Sequence, residues 1–283
     1  MNRLQSINPR TQKVRILSRT ARFAAIFLAL ALATSAQQPE MIDVGGHKLQ
    51  MTRSGAGAAT VVFEAGIGGP SVWGALVSRI ATFSTTVSYA HAGMDGSEPA
   101  QSPRTPTRLV EELHTLLHRA KISPPYILVG HSMGGLETRL FAMTYPTEVA
   151  GIVLIDGSHE RQVLEFTRLD PAFVRRREAA LNALNPAQRA EMDGLWPILS
   201  TGKLNILGKL PDVPTVVITS LLSTSAQGPG AVEAHRQLDD EIFRSVSYGM
   251  HIITNRSGHL IQKDEPELVA NAIRWVIDAT NRR

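Results

Sequence analysis

Ser132 is the residue of this chain whose surroundings most resemble a place for chemistry. It stands in YILVGHSMGGLETRLFA, residues 126–142, between a branched apolar run that predicts a buried strand and a stretch from Leu136 to Ala142 that predicts a helix. Gly130, Gly134 and Gly135 hem it in. Glycines on both sides permit a turn too sharp for ordinary side chains, which thrusts the serine out at the top of a sheet with a helix N-terminus beneath it. An alcohol is a poor nucleophile at neutral pH, so it needs a base to take its proton and a third group to orient that base. His259 has the right setting for the base: it follows the strand-like MHIITN and a Ser-Gly turn, just ahead of the last helix. His47, His91, His235 and His251 have no such setting and read as structural.

These residues need a scaffold that holds distant parts of the chain together. After the first 36 residues, strand-like and helix-like segments alternate. MIDVGGHKLQMTR predicts a hairpin turning at Gly45-Gly46, and TVVFEA, TTVSYAH, YILV, VAGIVLID, VPTVVITS and MHIITN predict strands. TRLVEELHTLLHRA places Leu109, Leu113, Leu116, Leu117 and Ala120 on one helical face, and Leu268, Val269, Ala272, Ile273 and Val276 line another. This alternation predicts an α/β fold, a mostly parallel central sheet with helices on both faces. From about 158 to 210 no strand-like run appears. Asp170-Pro171 and Asn185-Pro186 there read as N-caps followed by proline, which predicts a helical cap insertion.

Gly130-His131-Ser132-Met133-Gly134 matches the G-x-S-x-G elbow. With the late Gly258-His259 pair and the sheet pattern, the chain resembles the α/β-hydrolase superfamily from about residue 41 to its end. That resemblance implies Ser132 as nucleophile and His259 as base. It also implies two backbone donors to the oxyanion, the N–H of Met133 at the helix start and the N–H of Ile67 in FEAGIGGPSVW, where Ala65 replaces the family's usual histidine. The usual place for the acid, after VPTVVITS, offers no carboxylate before Glu233. Asp156, closing GIVLID, is the reading taken, since some members of the superfamily carry the acid there; Glu233, Asp239, Asp240 and Glu241 stay open as alternatives, as does a site without an acid.

Other chemistries fit less well. Gly66, Gly68 and Gly69 fail the G-x-G-x-x-G spacing of a dinucleotide loop, and Pro70 interrupts the helix start. His114 and His118 are four apart, as two zinc ligands can be, but Thr115 takes the place of the glutamate in H-E-x-x-H, so the pair reads as a solvated helix face. No cofactor and no metal is expected. The chain has 283 residues, no cysteine, and 29 basic residues against 25 acidic; six of the basic ones precede Glu40, and the remaining 23 leave no basic surplus that would call for nucleic acid. The basic opening and FAAIFLALALATSA read as a signal peptide over residues 1–36, followed by one hydrolase domain over 37–283 with no stable membrane span after leader removal. The expectation is an exported serine hydrolase, periplasmic or secreted, cleaving a small carboxylic ester through an acyl-enzyme. Hydrolysis of amide, lactone, thioester or carbon–carbon bonds by the same residues, and a non-catalytic ligand-binding module on the same fold, are the alternatives.

Overall fold

The computed structural model describes residues 38–101, 103–204, 208–222, 228 and 230–283. The leader-like segment lies outside the described residues. Among the described residues, eight strands form one sheet in the order β1-β2-β4-β3-β5-β6-β7-β8. β1 (Glu40–Asp43) and β2 (Lys48–Ser54) make the expected antiparallel hairpin through Gly45-Gly46, both at positive φ, and β2 pairs antiparallel with β4 (Thr85–Tyr89). From β4 onward the sheet is parallel: β3 (Thr60–Glu64), β5 (Tyr126–His131), β6 (Val149–Ile155), β7 (Thr215–Ser220) and β8 (Gly249–Thr254).

The strands at the centre are apolar throughout because helices cover both faces. Alternation sorts their side chains into two cores. On one face Tyr126, Leu128, Ile152, Leu154 and Val217 pack with Leu109, Leu113, Leu116 and Leu117 of α2 (Pro106–Arg119) and with Leu136, Leu140 and Phe141 of α3 (Met133–Thr144). On the other, Ile127, Val129, Val153, Ile155, Val216 and Ile218 meet Leu76 and Ile80 of α1 (Ala75–Ile80), Ile261 of α8 (Ile261–Asp264), and Val269, Ile273 and Val276 of α9 (Pro266–Thr280). Each such fully buried aliphatic side chain contributes about 1.5–3 kcal/mol.

Between β6 and β7 the chain forms α4 (Gln162–Leu169), α5 (Phe173–Leu181) and α6 (Pro186–Thr201). Asn185 caps α6 in a reciprocal box with Gln188, and Pro186 takes the first helical position, where a missing N–H costs nothing. Asp170 differs from expectation. Its carboxylate accepts from the N–H of Ala172 and so closes a turn, and α5 starts only at Phe173. α7 (Ala231–Arg244) packs between this helical segment and β7.

Candidate active site

Ser132 is the residue between β5 and α3, with φ 58° and ψ −127°. A non-glycine residue at positive φ stores strain that surrounding bonds must hold. Here they do: the Ser132 N–H donates to Ile155 O, while its carbonyl accepts from Gly135 N (3.0 Å) and Ser158 N (2.7 Å). The turn is tight enough that a Cβ on Gly134 would overlap the Glu64 carbonyl, and one on Gly66 would lie 2.7 Å from the Gly134 nitrogen. These two glycines let the loop after β3 lie against the start of α3.

His259 is in the loop after β8. Its Nε2 lies 2.9 Å from Ser132 Oγ, and its Nδ1 lies 2.7 Å from Asp156 Oδ2. An Nδ1–H donated to the carboxylate leaves the Nε2 lone pair facing the hydroxyl, the tautomer a general base requires. Asp156 follows β6 at φ 44°, another strained position, fixed by its N–H to Ile218 O (2.7 Å) and by Ser220 N–H to its Oδ1 (3.0 Å). The other open carboxylates are elsewhere: Glu233 pairs with Arg236, Asp240 with Arg244, Glu241 with Arg161, and Asp239 accepts from Thr219 (2.5 Å).

Sequence reasoning passed over two histidines that touch this arrangement. His131, the variable residue of the elbow, donates from Nε2 to the carbonyl of His259 (2.8 Å), tying β5 to the histidine's loop. Burial, with the neighbouring His259, lowers it to about 3, so it stays neutral and adds no cation under the base. His235, on α7, has its Nε2 3.4 Å from both Asp156 Oδ1 and Asp239 Oδ2. Burial would lower its pKa, but the two carboxylates win and raise it to about 9. Burial would raise the Asp156 carboxyl; hydrogen bonding and charge from His235 and His259 hold it well below the usual carboxylate range instead. The signal for His235 is present in the sequence: His235 and Asp239 sit four apart on the same buried stripe as Ala231, Ala234, Leu238 and Ile242. A polar pair on an apolar stripe needs a partner inside.

The loop expected to supply Ile67 is a single 3-10 turn, Gly66–Gly68, packed on the start of α3. Two polar links tie it to α6. Gln188 Nε2–H donates to Ile67 O (2.9 Å). Glu64 Oε1 accepts from Gly66 N–H (3.0 Å) and faces His91 Nε2 (2.9 Å), while His91 Nδ1 faces Glu191 Oε2 (3.1 Å). Tyr89 donates to the other Glu64 oxygen. His91 opposes its own desolvation through Glu191 and Glu64, and its pKa is raised well above normal. A buried histidine between two carboxylates is an ion-pair bridge, so the structural reading of His91 stands, with a specific attachment. Ala65, where the family's histidine would be, is buried. Of the apolar residues flanking the site, Trp73 and Met133 are committed to the core, whereas Leu221 and Leu260 are exposed.

Among the described residues, two groups bring three ligand-type atoms within 4.8 Å of one another, Glu64–His91–Glu137 and His114–His118–Glu148. In the first, the atoms of Glu64 and His91 are already engaged with each other, with Gly66 N and with Glu191.

With sheet order, elbow and histidine loop in place, comparison with known proteins gives a consistent result. The family described as alpha/beta hydrolase fold matches residues 60–191. The solved carboxylesterase CesB of Bacillus subtilis superposes with a TM-score of 0.59 at 15% identity, over 91% of this chain and 97% of that one. The (lyso)-N-acylphosphatidylethanolamine lipase of Bos taurus is 23% identical over 231 residues, 76% of this chain and 65% of that protein. A Hormonema carpetanum protein named "Probable transporter efuK" is 26% identical over 303 residues, 87% of this chain but 43% of that protein. The chain spans about two fifths of the length of curated relatives such as this last one. The chain has the α/β-hydrolase fold.

Proposed function

We infer that this protein is a serine hydrolase that cleaves carboxylic esters through an acyl-enzyme. The observation that carries the reading is the unbroken chain of contacts from Asp156 through His259 to Ser132, set on a strained strand-to-helix turn. In the first half-reaction His259 Nε2 takes the Ser132 proton as Oγ attacks the carbonyl carbon. The resulting imidazolium is stabilised by Asp156, and the oxyanion accepts from the N–H groups of Met133 and Ile67. His259 then returns the proton to the departing alcohol. Water repeats the sequence on the acyl-enzyme and releases the acid. The ionised Asp156 lies against His259, and the neutral His131 beside it carries no opposing charge.

The esterase and lipase named among the relatives favour an ester as the bond cleaved. The substrate is a small molecule. The leader-like residues 1–36 support export, to the periplasm or beyond, as part of the same reading. Among the described residues no helix is long and apolar enough to cross a membrane.

Labelling with a fluorophosphonate probe tests the nucleophile. Wild-type protein reacts and Ser132→Ala does not. A folded wild type that resists the probe overturns the reading in favour of a binding module. Aryl esters of graded acyl length, run beside amides, lactones and thioesters, then separate ester cleavage from the other bonds.

A further inference from the structure

α2 carries two histidines one turn apart on its outer side, and the turn leading into β6 brings a carboxylate to them. His114 Nε2 lies 3.0 Å from Glu148 Oε1, and His118 Nε2 lies 3.4 and 3.3 Å from the two Glu148 oxygens. The three ligand atoms fall within 4.8 Å of one another. All three groups are accessible; the His114 ring is stacked on Tyr145 at 3.8 Å and 8°, the two imidazoles stand 4.3 Å apart, and Glu148 closes the short Pro146–Glu148 turn. The spacing of the histidines alone reads as a solvated face, because nothing in it reveals a carboxylate arriving from 30 residues further along the chain.

We propose that His114, His118 and Glu148 form a binding site for a zinc-class divalent cation, joining α2 to the start of β6. A tetrahedral ion about 2.0–2.1 Å from each ligand needs ligand atoms roughly 3.3 Å apart, and the imidazole nitrogens of His114 and His118 stand 3.0 Å and 3.3 Å from the carboxylate here. Two imidazoles and one carboxylate suit Zn²⁺ and its neighbours; Mg²⁺ and Ca²⁺ prefer all-oxygen shells. His118 is half exposed, so the fourth position faces solvent. The ligand set lies at the beginning of β6, while Asp156 follows its end. Seven residues of strand, at about 3.3 Å each, separate the two by roughly 20 Å. The ion's role is therefore to brace the fold, with no part in the chemistry at Ser132.

The test uses tag-free full-length protein, stripped with chelator and titrated with ZnCl₂ by calorimetry, with MgCl₂ as control. One Zn²⁺ per chain at micromolar Kd or tighter is expected. At a tenfold excess of Zn²⁺ over Kd the melting temperature rises by about 3–5 °C, Mg²⁺ has no effect, and ester turnover is unchanged. His118→Ala and Glu148→Gln each weaken binding at least tenfold. Co²⁺ loaded on the wild type gives the intense visible bands of a low-coordinate site, a readout that needs no variant. No saturable binding below 100 μM (about the weakest useful limit for such a ligand set), or binding equal in wild type and both variants, overturns the site.

Discussion

Asp156→Asn probes the site most sharply because the structure dictates how the new amide must lie. Asp156 Oδ1 accepts from the N–H of Ser220 and faces His235 Nε2, and both of these are donors toward it. An asparagine at 156 must present its oxygen to that side, since an NH₂ there would oppose a backbone N–H. The NH₂ then points at His259 Nδ1, 2.7 Å away in the wild type. It can donate only if Nδ1 gives up its proton, which moves to Nε2 and faces Ser132. The base then holds a proton where it needs a lone pair. Loss of the correct tautomer lowers kcat by about 10⁴, roughly 5–6 kcal/mol of barrier, with little change in KM. The assay is steady-state turnover of an aryl ester, paired with the rate of fluorophosphonate labelling and a thermal melt to show that the variant is folded. A variant within tenfold of wild type in both rates refutes the reasoning. If Glu233→Gln instead abolishes turnover, the acid is not Asp156.

Two further measurements follow from the surroundings. His235 has a folded pKa raised to about 9 from its ordinary 6.5, so the stability it contributes is fully present below about 6.5 and is lost as pH rises through about 9. Urea unfolding of the wild type should lose a few kcal/mol more between pH 7 and 10 than that of His235→Gln, which keeps only the slope of the likewise raised His91; equal slopes would show that His235 carries no charge in the fold. Gly66→Ala places a Cβ 2.7 Å from the Gly134 nitrogen at a φ of 59°, and must displace the turn bearing Ile67. Turnover of an ester should fall about 10²–10³-fold, the effect of losing one oxyanion donor, while the fold survives; an unchanged kcat would remove Ile67 from the mechanism.

Much of the scaffold is legible in the sequence because its signals are local. Central strands are continuous apolar runs, α2 and α9 each carry one apolar face, and Asn185-Pro186 announces a helix start. Ser132 and His259 are legible for the same reason: each sits beside a turn that glycine permits, at a strand end. Asp156 is only one of five carboxylates that sequence leaves open, because the choice depends on which strands become neighbours. Pairing of β6 with β7 puts Ser220 N–H on its carboxylate, and no local pattern encodes that. His235 and His91 read as unremarkable for the same reason. Their distant partners, Asp156 for one, Glu64 and Glu191 for the other, lie on elements that meet only after folding. Asp170 shows the reverse error, where a good local cap signal is spent on a turn.

The links from α6 to the Gly66–Gly68 turn limit how this architecture can diversify. Gln188 holds the Ile67 carbonyl, and Glu191 reaches Gly66 through His91 and Glu64. A recombinant that exchanged residues 162–201 for the equivalent stretch of a cousin would strand His91 in the interior with one counter-charge missing and leave the Ile67 carbonyl without its donor. Heritable change in the helices must therefore travel with matching change at positions 64 and 91, and the helical stretch and that turn are inherited as one module.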